Sequence, residues 1–327
     1  VAYAHTSYLC AWFKRHYFME WISAVLTIGN KDDFKAFYQK WKKYVLKPDI
    51  NQSKEKYNIA VIEENGKTVE KVVMPISSVN GVGAKAVEEI ISKQPFRDFD
   101  DFFERINLRV CKKNVVINLI LSGCFDVFND GKTVMYKDKL LPADTSTNFF
   151  RKVLSQYFYM LSHKKSKPPK NTKERDKEKL QEIADMNKGH MLLKEISLLN
   201  FTSFDYSEYY RDKLKIVEEK KRVKVITPDQ IKDLSEGARV ACVGASMDLK
   251  IFYTKKKQKM GRFMLSNNGD NVDITVFPNT LEKDEQGKGT INKLIDYFPL
   301  VVIGTVNEYN GRKSVIFDEG IPLIKMT

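Results

Sequence analysis

The chain contains no apolar run approaching the ~20 residues needed to span a bilayer. It also lacks a charged leader followed by an apolar stretch. The sequence is therefore read as cytoplasmic, with no membrane partner. Its four cysteines, Cys10, Cys111, Cys124 and Cys242, are widely separated and form no C-x-x-C pair. That excludes a disulfide framework and a cysteine zinc site. The four histidines, His5, His16, His163 and His190, share no ligand spacing. Negative charge is the scarcer sign, with 42 Asp and Glu against 55 Lys and Arg, leaving a net charge of +13. Such an excess favours a polyanionic partner. With 43% hydrophobic residues, the 327-residue chain has material for two or three folded domains.

Carboxylates arranged for catalysis are also missing. Two-metal chemistry needs carboxylates that converge on ions ~4 Å apart. The neighbouring pairs Asp32-Asp33 and Asp100-Asp101 point in different directions on any regular element. Asp49 follows Pro48 and reads as a turn residue. No catalytic residue, metal or cofactor is expected in this chain.

What is present centres on Met74–Ile91, M-P-I-S-S-V-N-G-V-G-A-K-A-V-E-E-I-I. Gly81 and Gly83 separate a short apolar run from a second run at Ala86, Val87, Ile90 and Ile91. The pattern predicts helix, tight turn, helix. Glycine allows a sharp turn and a close approach. The amides from Gly81 through Val82, Gly83 and Ala84 to Lys85 would then open a helix, where an anion is favoured. A helix-hairpin-helix grips a phosphate backbone in this way without reading bases. An ordinary glycine turn between packed helices has the same pattern.

Residues 1–50 read as helical and end in the Lys47–Asn51 turn. Residues 51–128 contain strands flanking Asn65-Gly66, a hairpin signal, followed by the glycine turn and a helix ending at Ser122-Gly123. Residues 129–180 are crowded with lysine around Pro168-Pro169 and read as a solvated basic linker. Residues 181–236 read as a mixed helical connector. Residues 237–327 carry five short strands, with a helix between the third and fourth, which matches an OB-fold barrel or another small barrel. The expected class is multidomain α+β: helical segment, helix-hairpin-helix domain and five-stranded OB barrel.

Five ordered blocks resemble the bacterial DNA polymerase III alpha subunit, a C-family replicative polymerase. Ala2–Thr27 (A-Y-A-H-T-S-Y-L-C-A-W-F-K-R-H-Y-F-M-E-W-I-S-A-V-L-T) is similar to a helix of its fingers. Phe18 stands where that family has proline, and Trp21 where it has phenylalanine. K-P-D-I-N (Lys47–Asn51), V-N-G-V-G (Val79–Gly83), L-I-L-S-G-C-F-D (Leu119–Asp126) and Tyr253–Pro278 resemble further family blocks in the same order.

The resemblance implies a C-terminal portion holding duplex and single-stranded DNA during template-directed synthesis. The palm aspartates and their Mg²⁺ would lie upstream, so this chain is expected to be inactive alone. Its start at Val1, within a helical pattern, suggests a fragment. Gly81 to Lys85 would hold duplex backbone, with Lys112 and Lys113 at a second, degenerate hairpin. Lys255, Lys256, Lys257, Lys259, Arg262, Phe263, Tyr309 and Arg312 would hold single strands, with Phe252 and Tyr253 as further stacking platforms. Lys14 and Arg15 would face nucleotide or template phosphates. Gln156, Phe158 and Met160 form a weak match to a sliding-clamp motif, and the remainder of the polymerase is an implied partner. A stand-alone DNA-binding accessory protein is the alternative, and an RNA-binding OB protein a third reading.

Overall fold

The computed structural model describes the chain except residues 1, 30–36, 38–39, 65, 130–134, 137–138, 141–146, 166–169, 187, 200–204, 255, 269, 287–290, 292–293, 295–297 and 325–327. It divides into two compact units, Val1–Asn200 and Phe201–Thr327.

In the first unit, helices Ala2–His16 and Phe18–Ile28 lead to a three-stranded sheet. β1 (Val45–Leu46) pairs in parallel with β3 (Lys67–Val73), which pairs antiparallel with β2 (Asn58–Glu64). The β2–β3 hairpin has the expected register, with Glu64 opposite Lys67. Asn65 itself lies outside the described residues, while Gly66 takes the left-handed conformation of a tight turn, φ 72°.

The K-P-D-I-N turn organises this unit. Asp49 Oδ1 accepts from the amides of Asn51 (2.7 Å) and Gln52 (2.9 Å), an Asx turn. Asn51 then clamps Phe96 as a strand partner would. Its Nδ2 donates to the Phe96 carbonyl (2.8 Å), and its Oδ1 accepts from the Phe96 amide (2.7 Å). Between them Ile50 is fully buried, and its amide donates to the Cys124 carbonyl at 2.9 Å. Two of the sequence blocks thus meet in one core.

Helices Ala84–Ile91, Phe99–Arg105 and Lys113–Ser122 follow. Asp98 caps the second, accepting from the Asp101 amide at 2.8 Å. Gly123, at φ 91°, ends the third. Phe96, Phe99, Phe102 and Phe125 pack edge-on or tilted beneath them. A two-residue ladder joins β4 (Met135–Tyr136) to β5 (Lys139–Leu140).

The basic-linker expectation for 129–180 is corrected here. Thr147–Lys165 and Lys170–Asp185 are helices. Phe150, Val153, Leu154 and Phe158 are buried at helical spacing, and Phe158 packs against Phe99 and Phe103. The apolar stripe fixes the helix despite the surrounding lysines. Pro168 and Pro169 lie outside the described residues. Helix Lys188–Leu199 completes the unit.

A buried ionic network ties these helices to the turns. Arg151, 3% exposed, bonds Asp126 through Nε (2.9 Å) and Nη2, and Glu195 through Nη1. Lys47 also pairs with Glu195. Burial by itself would raise the Glu195 carboxyl, but Lys47 and Arg151 outweigh it and hold the group below its usual range. Asp126 shares Arg151 and has no second cation in contact among the described residues, so burial, with the Glu195 charge adding to it, prevails and its carboxyl is raised. A β-carbon at Gly123 would sit 2.8 Å from Asp126 Oδ2 and against the Arg151 guanidinium, so glycine there makes room for the network.

The second unit is a closed barrel. β7 (Arg239–Tyr253), β8 (Lys259–Asn267) and β9 (Asp270–Val276) form an antiparallel meander. Helix Pro278–Gln286 follows β9, then β10 (Phe298–Tyr309) and β11 (Arg312–Pro322). β11 pairs in parallel with β9, and β10 closes the ring on β7. This strand order is that of the OB fold. Gly244 and Gly304 permit the close crossings; a β-carbon at Gly244 would lie 2.7 Å from the Ser266 carbonyl oxygen.

The predicted start at residue 237 is too late. β6 (Val225–Ile226) pairs with β7, and the 3₁₀ turn Pro228–Asp233 packs against β7, β8, β9 and β11. Thr227 and Gln230 form a capping box at that turn. The unit also buries Tyr206 of helix Tyr206–Tyr209, Leu214 and Val217 of helix Arg211–Lys221, and Tyr210 between them.

Candidate nucleic-acid interface

The glycine turn differs from the expected form on its first side. Ile76–Ser78 is one 3₁₀ turn rather than a full helix, since Pro75 leaves only three residues before the chain reverses. Gly81 takes φ 85°, the left-handed region, as the turn requires. Val82 donates its amide to the Val79 carbonyl (3.1 Å), and its side chain is buried. It therefore packs the turn and offers no free donor. The amides of Gly81, Gly83, Ala84 and Lys85 have no protein acceptor among the described residues. They open the Ala84–Ile91 helix, whose N-cap is Gly83. Nothing lies within 4 Å of a β-carbon placed on Gly83, and the Lys85 side chain is exposed. This is an open, electropositive corner.

Two asparagines that sequence reading passes over hold the corner in place. Asn80 donates from its amide to the Leu198 carbonyl (2.8 Å) and from Nδ2 to the Ser197 carbonyl (2.8 Å). Asn118 Nδ2 donates to the Asn80 carbonyl (3.0 Å) and closes over Gly81, 2.7 Å from where a β-carbon would sit. Asn in a tight turn is the one signal the sequence offers; its partners, 38 and more than 100 residues away, are invisible there.

At the second turn, Lys112 is the exposed N-cap of Lys113–Ser122. Lys113 is committed elsewhere: its Nζ lies 2.7 Å from Asp176 Oδ2 and 5.8 Å from the Tyr159 ring centre. Lys14 is likewise engaged, lying 5.0 Å and 5.2 Å from the Trp21 and Trp41 ring centres, whereas Arg15 is exposed. Phe158 is fully buried in its helix, so Gln156, Phe158 and Met160 form no accessible docking motif. The aromatic core contacts of Phe158 explain the run.

On the barrel, Gly261, Phe263 and Leu265 face inward, and Arg262 faces outward. Phe263 is 1% exposed against Phe317, which removes it as a stacking platform. Period-two alternation with Leu265 is the readable signal. Arg262 pairs with Asp273 at 2.8 Å, both well exposed, an ion pair of little net worth that a phosphate can displace. A register shift between Met247 and Lys250, with Asp248 at φ 54°, marks a bulge that bends β7. Beyond the bend, Ile251, Phe252 and Tyr253 are all exposed, Tyr253 by 73%. Lys256 and Lys257 are exposed at the tip, and Lys259 is half-buried; Lys255 lies outside the described residues. Tyr309 (74% exposed) and Arg312 stand at the β10–β11 turn.

The first unit is thus built around a helix-hairpin-helix, and the second is an OB barrel. The helix-hairpin-helix motif family matches residues 43–135. The chain is similar to DNA polymerase III subunit alpha of Pasteurella multocida, 27% identical over 306 residues, covering 89% of this chain and 24% of that protein. It is similar to that of Staphylococcus epidermidis, 23% identical over 331 residues, covering 98% of this chain and 27% of that protein. With the Vibrio cholerae subunit the identity is 32% over 143 residues, 41% of this chain and 12% of that protein. Among solved structures, it resembles the OB domain of Ta0387 from Thermoplasma acidophilum, at TM-score 0.22 and 15% identity, covering 32% of this chain and 89% of that one. The chain is thus similar to the DNA polymerase III alpha subunit over most of its own length, and it spans about a quarter of the length of the relatives it matches most fully.

Proposed function

We propose that this chain is the DNA-holding, C-terminal part of a C-family replicative polymerase. The glycine corner grips duplex backbone, and the barrel holds single-stranded DNA. The observation that carries the reading is the corner itself. Four amides without a protein acceptor among the described residues and an exposed lysine line the corner at Gly83, within the segment that matches the helix-hairpin-helix family. Such a site holds phosphates whatever the bases, so duplex binding is sequence-independent and falls steeply with salt. The barrel contributes through the exposed aromatics at the end of β7 and the Tyr309 turn, where unpaired bases stack. Nucleotidyl transfer belongs to the palm of the parent polymerase, so the chain alone extends no primer. A sliding clamp is a further partner in this reading, docked by residues other than the buried Phe158 helix.

The test is Gly83→Asp. The position has ordinary extended backbone (φ −83°) and free space, so the fold tolerates a side chain. The carboxylate repels the phosphate, and duplex affinity drops at least about tenfold, equivalent to ~1.4 kcal/mol. A folded Gly83→Asp protein that binds duplex as well as the parent would overturn the assignment.

A further inference from the structure

The Lys170–Asp185 helix is pinned to the start of Lys113–Ser122. Asp176, 7% exposed, lies 2.7 Å from both Lys113 Nζ and His163 Nε2. Lys179 Nζ donates to Asn114 Oδ1 at 2.8 Å. Arg175 stands one turn before Lys179 and shares its flank. Lys112 immediately precedes the pinned Lys113. Lys112 and Lys179 therefore stand beside the second turn, with Arg175 one helical turn before Lys179; all three are exposed, and none has a carboxylate partner among the described residues.

The order of charge along the helix is a second, independent sign. Its first turn holds no acidic residue and its last turn no basic one. Lys170 and Lys173 sit at the positive end of the dipole, Glu182 and Asp185 at the negative end. A helix selected for its own stability has the reverse order. Lys170 and Lys173 are thus placed for something outside the helix, on the same helix as Arg175 and Lys179.

We propose that Arg175 and Lys179 contact the backbone of the same duplex held at the glycine corner, so that this helix widens the duplex footprint. This rests on the duplex-holding reading above. The pinning by Asp176 makes the surface rigid, so little side-chain or segment ordering is added on binding.

The experiment measures duplex affinity of the full chain by fluorescence anisotropy across a salt series. Removing one cation from a phosphate reduces the log–log slope by about 0.9. Arg175→Gln with Lys179→Gln is expected to reduce it by up to ~1.8. Arg175→Lys with Lys179→Arg keeps the parental slope. Lys56→Gln with Lys67→Gln, a charge-matched control near β2 and β3, leaves it unchanged. An unchanged slope in the Gln double variant, with Gly83→Asp still defective, overturns this proposal and leaves the corner intact. An equal fall in the control shows general charge only and also overturns it. A parent chain that fails to bind duplex overturns both readings. A slope change in the Gln variant alone, with Gly83→Asp binding normally, removes the glycine corner and overturns the shared footprint, leaving the helix as a separate duplex contact.

Discussion

Replacing Arg151 by Met removes the cation shared by the buried Glu195 and the half-buried Asp126 while keeping apolar bulk. Breaking a buried pair costs about 3–5 kcal/mol, because the remaining charge has no partner. Lys47 still pairs with Glu195, and the Asp126 side chain is 29% exposed, so water relieves part of the loss. The expected cost is then at the low end, about 3 kcal/mol. For a unit of this size, about 2–4 °C of melting temperature accompanies each kcal/mol, giving a fall of about 6–12 °C. Differential scanning calorimetry of the full chain checks this, with the two units treated as separate transitions. Adding Asp126→Asn to Arg151→Met recovers part of the loss, since the carboxylate left without its cation is gone. The acid limb carries a sign of its own. The depressed Glu195 carboxyl contributes stability that is full above its unfolded value and disappears as pH falls through its lower folded value. Asp126, raised by burial, acts in the opposite sense and offsets part of this. Without Arg151 the Glu195 value rises, so acid unfolding begins at higher pH. The Lys188–Leu199 helix also holds Asn80 through its last carbonyls, so duplex binding weakens too. A melting shift below about 2 °C, or no recovery in the double variant, would refute the reasoning.

Thiol chemistry gives a second check. Cys10 is exposed, whereas Cys111, Cys124 and Cys242 are buried. Burial pushes the Cys111 and Cys124 thiols up to about 12. A thiol reagent should therefore titrate one cysteine in the native chain and four after denaturation; rapid native reaction of more than one contradicts the packing. For the barrel, residues 201–327 should fold cooperatively by circular dichroism. The shorter 237–327 piece, stripped of buried Tyr206, Tyr210, Leu214, Val217 and Ile231, should melt lower or not at all. Tyr253→Ala and Tyr309→Ala should each weaken single-strand binding by about 1–3 kcal/mol in a titration with a homopyrimidine strand, without altering duplex affinity. An effect confined to neither tyrosine would place the strand elsewhere.

Features fixed by local chemistry are legible in the sequence. The β2–β3 turn, the barrel strands and the Gly123 helix stop all follow from neighbours within a few residues. The 129–180 segment reads wrongly as a linker because lysine dominates its composition. The helical spacing of Phe150, Val153, Leu154 and Phe158 is visible there but outweighed. Lys113 and Arg151 are not assignable at all, since their partners lie 63 and 44 residues away. Phe263 misleads for a different reason: an aromatic beside basic residues suggests stacking, yet strand parity turns it into the core.

The ring of strands is unevenly stitched. Ten residue pairs register β10 on β11, eight β10 on β7, and seven β8 on β9. The parallel junction of β9 and β11 has three, from Ser314 opposite Asp273 to Ile316 opposite Thr275. Local opening follows the weakest set of contacts. If the cylinder breathes, it does so there, as a sleeve parts along its shortest seam. Amide protons at that junction should then exchange with solvent before those of any other strand pair in the ring.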